Sequence, residues 1–202
     1  MPRVVRNGLK ESRLTAFEAV RFATEFIPEW IVLENVVHMQ SWNAYPRLIN
    51  AFKKLGYQIR VEKLNAMDFG VPQSLRRLFL LCSLSGMPQA IVLPCLETVP
   101  ASSVIVLNGS CSFSPLYSPR QAIPTIERAK RAMVELGEEE HLLFVYYGTD
   151  QRGGWQSIGR PLRTVTTLDR FAYVKPSPDG PMMRMLQPEE LKLAMGFPSF
   201  GI

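Results

Sequence analysis

A carboxylate and an amide stand at the end of an apolar run near the start of this chain. Trp30-Ile31-Val32-Leu33 leads directly into Glu34 and Asn35. Bulky, partly β-branched residues in such a run are typical of a strand that is buried on both faces. Open α/β sheets place ligand groups at the carboxyl ends of their strands. Glu34 is therefore a candidate acid at the sheet edge, and the alternative is a surface cap on the next segment.

A cation follows a predicted turn later in the chain. Gly70-Val71-Pro72 predicts a turn that directs Gln73 and Arg77 outward, just before the apolar run at residues 78–82. This run reads as another buried strand. If both strands belong to one sheet, Arg77 lies near the end of the strand that carries Glu34.

The remaining candidate ligands form no recognisable metal site. Cys82, Cys95 and Cys111 are too few and too irregular for a disulfide framework, and only His38 and His141 stand beside them. No metal-ligand spacing results from these five residues. The sequence therefore predicts neither a bound metal nor disulfides.

Composition describes an ordinary globular protein. Of 202 residues, 47% are hydrophobic and 20% are charged, with a net charge of +5. This balance is compatible with a polyanionic partner but does not require one. No apolar run reaches the length of a membrane span, and the first six residues lack a secretory signal's apolar core. We expect a cytoplasmic protein without a membrane partner.

Alternating helices and strands surround the candidate residues. Thr15-Ala16-Phe17-Glu18 has the spacing of a capping box, which predicts a helix from there to Pro28. A second helix is expected over residues 44–55, followed over residues 57–62 by a strand with one solvent-exposed face. With the strand at residues 78–82, this order indicates part of a doubly wound α/β sheet.

The motifs resemble the middle of a DNA (cytosine-5)-methyltransferase. Leu33-Glu34-Asn35-Val36 is followed by a helix and a strand, and then by Phe69-Gly70-Val71-Pro72-Gln73 and Arg77. In that family the Glu-Asn-Val motif supplies the acid that holds the flipped cytosine, and a Gln-x-Arg-x-Arg motif supplies an arginine to the same base. The resemblance implies that Glu34 and Arg77 are the catalytic pair.

The second motif departs from the family at one position. Leu75 stands where the family has its first arginine, and Arg76 is beside it. The resemblance implies further contacts to the substrate from Asn35, Gln73 and Arg76.

The implied chemistry requires an acid and a cation together. Carbon 5 of cytosine is a poor nucleophile, so a thiolate first adds at carbon 6 and pushes negative charge onto N3 and O2. By resemblance, Glu34 bonds N3 and the exocyclic amine, while Arg77 stabilises charge at O2. The base must first leave the duplex, which costs a few kcal/mol.

The family's cofactor and nucleophile motifs are missing from this sequence. Its glycine-rich S-adenosylmethionine loop and its Pro-Cys motif precede the Glu-Asn-Val strand, but the 29 residues before Trp30 contain neither. Pro94-Cys95 comes after Arg77 and is interpreted as a plain buried thiol. S-adenosylmethionine is thus implied by the family alone, and we expect the isolated chain to be inactive.

A target recognition lobe is expected after residue 83. The helix predicted at residues 125–136 carries Arg128, Lys130 and Arg131, which either face solvent or contact a DNA backbone. The polar loop at residues 150–155 either enters a groove or is a turn with its tryptophan packed down.

The end of the chain resembles the family's ninth motif and the helix after it. Arg160-Pro161-Leu162-Arg163-Thr164-Val165-Thr166-Thr167 resembles the motif, and the segment from Met185 to Pro198 resembles the helix. The implied domains are a catalytic half at residues 1–83, a recognition lobe at 84–175 and a returning helix at 176–202. The DNA-binding residues implied are Arg152, Arg160, Arg163, Thr164 and Thr166.

Two functions fit these expectations. The chain is either part of a cytosine-5 methyltransferase of the restriction-modification kind, or a non-catalytic DNA-binding remnant or specificity subunit. Double-stranded DNA is the partner in both cases, with a target sequence that the chain does not reveal. The strand at Trp30 should also lack a neighbour on one side, which favours a complementary amino-terminal chain or self-association.

Overall fold

A computed structural model describes residues 5–107, 111–146, 154–166 and 171–198 of the chain. The chain forms two compact units. The first comprises Met1–Asn65 and Arg76–Leu93, and the second comprises Ala66–Leu75 and Pro94–Ile202. Each unit has a hydrophobic core of its own.

Helices and strands alternate in the first half of the chain, and strands dominate the second. In chain order the described elements are α1 (Val5–Phe26), β1 (Trp30–Val36), α2 (Tyr45–Lys54), β2 (Gln58–Asn65), β3 (Gln73–Ser74), β4 (Arg76–Ser83), β5 (Ser114–Pro115), α3 (Ile123–Leu136), β6 (Leu142–Val145), β7 (Trp155–Ser157), β8 (Leu162–Arg163), β9 (Phe171–Lys175), β10 (Met182–Met185) and α4 (Pro188–Ala194). The expected mixed α/β class is therefore confirmed. No helix in these described ranges combines the length and the hydropathy that a membrane span requires.

The first unit is built on a three-stranded sheet with β4 in the middle. The strand order is β1, β4, β2, and β4 runs antiparallel to both neighbours. Leu33 of β1 and Val61 of β2 both lie opposite Leu80 of β4. The helices α1 and α2 contribute to the core on this side of the sheet, where Leu48 and Phe52 of α2 are buried as expected.

One expectation for β1 is wrong, because this strand is not buried on both faces. Ile31 and Leu33 pack against the core, but Trp30, Val32 and Val36 are 54%, 64% and 46% exposed. The apolar run predicted two covered faces. In the described residues, helices α1 and α2 share a core with the face that carries Ile31 and Leu33, and the opposite face stays open.

The start of α1 also differs from the expectation. The helix begins at Val5, so Thr15 lies in its interior and not at its start. Residues 9–14 contain mainly good helix formers, and no proline interrupts them. The predicted end before Pro28 is confirmed, as are the helix over residues 44–55 and its stop at Gly56, which has a φ of 94°.

The second unit contains a five-stranded sheet that is covered on both faces. Its strand order is β5, β10, β9, β6, β7, with every neighbouring pair antiparallel. Along β6, Leu142 and Phe144 join the core cluster that contains α3, whereas Leu143 and Val145 join the cluster that contains α4. This two-sided burial explains why β6 is apolar at every position.

The boundaries of these two units differ from those of the predicted domains. The chain leaves the first unit after Asn65 and re-enters it at Arg76. In the described residues after 175, Leu186 and Ala194 pack into the core of the second unit. The assignment of a catalytic half and a recognition lobe remains a prediction.

A buried ion pair joins β10 to α4 in the second unit. The Nη1 and Nη2 atoms of Arg184 lie 2.8 and 2.6 Å from the two carboxylate oxygens of Glu190, and both residues are almost fully buried. Glu190 also accepts the backbone N–H groups of Val106 and Gln187, which completes a capping box at the start of α4. Burial alone would raise the pKa of Glu190, but the hydrogen bonds from Arg184 and the two N–H groups hold it below its usual range.

We predict that Glu190→Gln lowers the free energy of unfolding by about 3–5 kcal/mol, because Arg184 is left as a buried charge without compensation. The depressed carboxyl contributes stability above its unfolded pKa of about 4.3, and this is lost as pH falls through the lower folded pKa. In urea unfolding between pH 3 and pH 7, the wild type should lose this contribution to the free energy of unfolding as the pH falls. The variant should not, because it lacks the carboxyl.

A matched control exists on the same helix. Glu189 is exposed, and its ion-pair partner among the described residues is Lys192 at 3.3 Å, so Glu189→Gln should cost at most about 1 kcal/mol. Equal effects of the two substitutions would contradict a structural role for the buried pair.

Candidate active site

Glu34 and Arg77, the two residues that the motifs single out, form an ion pair. The Nε atom of Arg77 lies 2.7 Å from Oε1 of Glu34. The side chain of Arg77 is 32% exposed, and that of Glu34 is 48% exposed. An acid and a guanidinium are thus held together on a surface that an incoming ligand can reach.

Strand register places the two side chains on the same face of the sheet. In the antiparallel pairing of β1 and β4, Arg77 lies opposite Val36 and Glu34 lies opposite Phe79. Glu34 is therefore two residues from the position directly across from Arg77. This diagonal separation is within the reach of long side chains.

A second acid on this face offers an internal comparison. Glu62 of β2 lies opposite Phe79 from the other side, so Phe79 separates it from Glu34. Glu62 pairs loosely with Arg60 at 3.7 Å, and Nε of Arg60 donates to the carbonyl of Pro88 at 2.6 Å. Glu62 therefore shares the sheet face of Glu34 without sharing its partner.

The other predicted substrate contacts do not gather around this pair. Asn35 alternates to the core side of β1, and its Oδ1 accepts the N–H of Val36 at 2.9 Å. Arg76 is exposed at the start of β4, where its carbonyl accepts a hydrogen bond from Nη1 of Arg77. Alternation along each strand separates these two residues from the face that carries Glu34 and Arg77.

The expectation that the turn directs Gln73 outward is wrong. Gln73 is 2% exposed, and its Nε2 has no hydrogen-bond partner among the described residues. It is buried because β3 pairs in parallel with β8, which places Gln73 opposite Leu162. A buried donor without a partner costs about 1–3 kcal/mol.

The pairing of β3 with β8 brings together two stretches that the sequence predicted separately. Thr164 donates a hydrogen bond from Oγ1 to the carbonyl of Ser74, and Nη2 of Arg163 donates to the carbonyl of Trp155. Arg160 and Thr166 are exposed. In this segment Arg163 and Thr164 therefore hold backbone in place, whatever else they bind.

Some predicted residues lie outside the described part of the chain. Arg152 and most of its polar loop fall between residues 146 and 154, and residues 167–170 follow the ninth-motif segment. The predicted role of Arg152 in DNA binding stays a prediction.

The described cysteines differ in burial, and they belong to no metal site within the described ranges. Burial raises the pKa of the Cys82 thiol to about 11, so it is protonated at neutral pH and is unsuited to nucleophilic attack. Cys95 is exposed rather than buried as expected. No group of three or more potential metal ligands occurs within the described ranges.

The described residues do not fit S-adenosylmethionine. Binding its charged groups would need a cradle of closely approaching backbone. The glycines with positive φ are isolated turn positions, and the tight space at Gly154 is filled by the side chain of Arg128. No chemical step through this cofactor is assigned to these residues.

Sequence reasoning missed the buried pair of Arg184 and Glu190. Two signals were present: an arginine inside the apolar run Met182-Met183-Arg184-Met185, and a Gln-Pro-Glu-Glu start to the next helix. A charge in a buried strand normally requires a partner. The pattern could therefore have suggested an ion pair, although not its partner.

Comparisons with known proteins define the family. The model of C-5 cytosine-specific DNA methylases matches residues 5–106, about half of the chain. The type II methyltransferase M.DdeI of Desulfomicrobium norvegicum is 36% identical over 86 residues, covering 39% of this chain and 21% of that protein. M.HhaI of Haemophilus parahaemolyticus is 31% identical over 81 residues, covering 38% of this chain and 25% of that protein. The orphan methyltransferase M.SssI of Spiroplasma monobiae is 31% identical, covering 50% and 27%.

Solved structures show the same fold at low identity. The Entamoeba histolytica methyltransferase EhMeth aligns with a TM-score of 0.53 and 18% identity, covering 91% of this chain and 57% of that one. A DNA modification methyltransferase encoded within an Escherichia coli prophage aligns with a TM-score of 0.50 and 16% identity, covering 89% and 62%. The order β1, β4, β2 is thus part of a methyltransferase fold.

The fold is that of α/β-class methyltransferases. The chain belongs to the C-5 cytosine-specific DNA methylase family. Its matched part spans about a quarter of the length of the curated relatives.

The exposed position of the ion pair predicts that it contributes little to folding. Glu34→Gln and Arg77→Ala should each change the free energy of unfolding by less than about 1 kcal/mol, because solvent screens exposed pairs. Chemical denaturation measures this directly. As a positive control, Phe52→Ala in the core should cost about 3–5 kcal/mol. Losses of that size at Glu34 or Arg77 would identify the pair as structural.

Proposed function

We propose that this chain is the base-binding and target-recognising part of a DNA cytosine-5 methyltransferase. In this proposal Glu34 and Arg77 bind the target cytosine after it has left the duplex. The observation that carries the proposal is the 2.7 Å contact between these side chains on an exposed sheet face. Membership of the cytosine-5 methylase family supports the choice of base.

The carboxyl of Glu34 and the guanidinium of Arg77 are suited to the cytosine atoms on which charge develops during the reaction. When a thiolate adds at carbon 6, negative charge develops on N3 and O2 of the ring. One oxygen of the Glu34 carboxyl shares a proton with N3, and the other accepts a hydrogen bond from the exocyclic amine. Arg77 donates to O2, and it holds Glu34 in position through the bond that the structure contains.

The magnitudes are consistent with such a role. Extrusion of a base costs a few kcal/mol. Hydrogen bonds to charged groups are worth about 1.5–3 kcal/mol each, so contacts to N3, the amine and O2 together are sufficient to offset extrusion. Water exclusion by the bound base would strengthen each contact further.

Methyl transfer needs two groups in addition to Glu34 and Arg77. S-adenosylmethionine provides the methyl group in this proposal, and a thiolate provides the attack at carbon 6. We assign both to another part of a complete methylase, in the same chain or in a complementary one. Glu34→Gln in such a complete assembly should abolish methyl transfer, because the amide cannot exchange a proton with N3.

Base binding can be tested without cofactor or target sequence. A short duplex with one bulged cytosine presents the base already outside the stack, so most of the extrusion cost is removed. We expect the chain to bind it about tenfold or more tightly than a duplex with an abasic bulge, given the worth of charged hydrogen bonds. Glu34→Ala and Arg77→Ala should each remove this preference, as measured by fluorescence anisotropy.

Glu62 provides the matched control for this experiment. It is a carboxylate on the same sheet face, across Phe79 from Glu34, and Glu62→Ala should leave the preference unchanged. A preference that survives the alanine variants would place the base site away from Glu34 and Arg77. A wild-type chain that binds duplexes without any preference would instead be a DNA-binding remnant without a base site.

We further propose that the open edge of β1 receives the rest of the methylase sheet. In the described residues β1 pairs with β4 alone, and Trp30, Val32 and Val36 are about half exposed. An apolar edge strand with unpaired backbone groups is a template for pairing. The chain covers 57% and 62% of the related structures, and the family resemblance suggests an amino-terminal methylase segment as the occupant.

Light scattering of the purified chain tests this edge. Covering a few hundred Å² of apolar surface at about 25 cal/mol per Å² supplies several kcal/mol, so we expect self-association or capture of an amino-terminal methylase half. Val32→Lys should suppress both. Val134→Lys is the control, because Val134 is 89% exposed on α3 in the second unit. A stable wild-type monomer that ignores the added half would refute the proposal.

A further inference from the structure

Three arginine side chains converge on neighbouring aromatic residues in the second unit. The guanidinium carbon of Arg131 lies 5.8 Å from the ring centre of Trp155, and that of Arg128 lies 5.1 Å from the ring centre of Tyr146. Nη2 of Arg163 donates to the Trp155 carbonyl at 3.0 Å. We call Arg128, Arg131 and Arg163 the arginine cluster.

Gly154 shows how closely the cluster is packed. A Cβ atom at this position would lie 2.5 Å from Nε and 3.0 Å from Cδ of Arg128. A larger residue at position 154 would therefore displace the end of the Arg128 side chain from its present place. Arg128 thus lies against the backbone at Gly154 on one side and near the ring of Tyr146 on the other.

Arg131 contacts an aromatic ring and not the acidic residues of its own helix. Glu127 and Glu135 stand four residues before and after it on α3, at the spacing at which helix ion pairs form. Neither acid forms an ion pair with any residue in the described ranges, and Arg131 contacts Trp155 instead. Its exposed guanidinium is thus held over an aromatic ring, with its charge not neutralised by its own helix.

We propose that the arginine cluster binds the phosphodiester backbone of duplex DNA. Guanidinium groups suit phosphate because their planar N–H donors match its oxygens. Arg128 and Arg131 lie near aromatic rings and Arg163 is bonded to the backbone of Trp155, so the three together concentrate positive charge in one part of the second unit. This inference rests on the proposed function, from which the duplex is taken as the ligand.

The position of the arginine cluster in the chain suggests what a contact with the DNA backbone would do. Tyr146 and Gly154 flank residues 147–153, the stretch in which the family resemblance implies a DNA-binding role for Arg152. Backbone contacts fix register and orientation on a duplex but carry no sequence information. The cluster therefore acts as a positioning site, and variants in it should weaken binding to all sequences alike.

A pair of single substitutions on α3 tests the proposal. Arg131→Ala removes a cluster charge, and Lys130→Ala removes an equal charge from the adjacent position, which lines a separate cavity with Tyr117 and Ile126. Both residues are exposed, so both variants should fold. Binding of the chain to a labelled duplex is measured by anisotropy over a range of salt concentrations.

The expected result is a difference between the two variants. Arg131→Ala should weaken binding several-fold and reduce the slope of log affinity against log salt by about 0.9, the value for one lost phosphate contact. Lys130→Ala should leave the slope unchanged. Arg131→Lys should restore most of the slope but not all of the affinity, because the charge returns without the planar donors.

Other results would overturn the assignment. Equal losses in the two alanine variants would indicate diffuse attraction rather than a site, and no loss in either would exclude phosphate contact at the cluster. A larger effect of Arg131→Ala on an RNA duplex than on DNA would make RNA the ligand. If the wild-type chain binds no duplex, the proposed function itself fails, whereas duplex binding with an unchanged Arg131→Ala variant removes only the cluster.

Discussion

The register of β1 on β4 is the constraint on which the candidate site depends. Leu33 opposite Leu80 places apolar side chains of both strands in the core, and the same alignment puts Glu34 and Arg77 on the other face at 2.7 Å. A slip by one residue would turn Glu34 inward and expose Leu33, because side chains alternate along a strand. The burial of Leu78, Leu80 and Cys82 therefore determines where the acid and the cation meet.

The open face of this sheet has two consequences that belong together. It leaves the carboxylate and the guanidinium accessible to a ligand, and it also leaves Trp30, Val32 and Val36 exposed. A site that receives a flipped base must be open before binding, yet it works best when water is excluded. A surface with both polar groups and uncovered apolar residues suits a part of an enzyme that another part completes.

The second unit is stabilised by different means. Its sheet is covered on both faces, and the buried pair of Arg184 and Glu190 links β10, α4 and the backbone at Val106. Such a network specifies one arrangement, because each polar group would be costly if it lost its partner. A rigid core of this kind is a suitable base for the arginines on α3 and β8, whose guanidinium groups must stay in place to bind a regular backbone.

Local patterns and motif order determined much of this protein from the sequence alone. The helix at Tyr45–Lys54, the strand at Arg76–Ser83 and the helix at Ile123–Leu136 follow from periodicity, prolines and glycines, which act within a few residues. The family followed from Glu34, Asn35 and Arg77 at their spacing in the chain. The covered or open state of a strand face did not follow, because Val32 is as apolar as a buried valine. It is exposed because no second helix layer covers it in the part of the chain that the structure describes.

Tertiary structure alone decided which candidate residues meet. Alternation and antiparallel pairing separate Asn35 from Glu34 although they are adjacent in sequence, and parallel pairing with β8 buries Gln73 although it follows a turn. The partners of Arg128, Arg131 and Arg184 lie on other elements, so a helical or strand pattern could predict their charge but not their contacts. Sequence determines which groups are available within each element, and long-range packing decides which of them come within bonding distance.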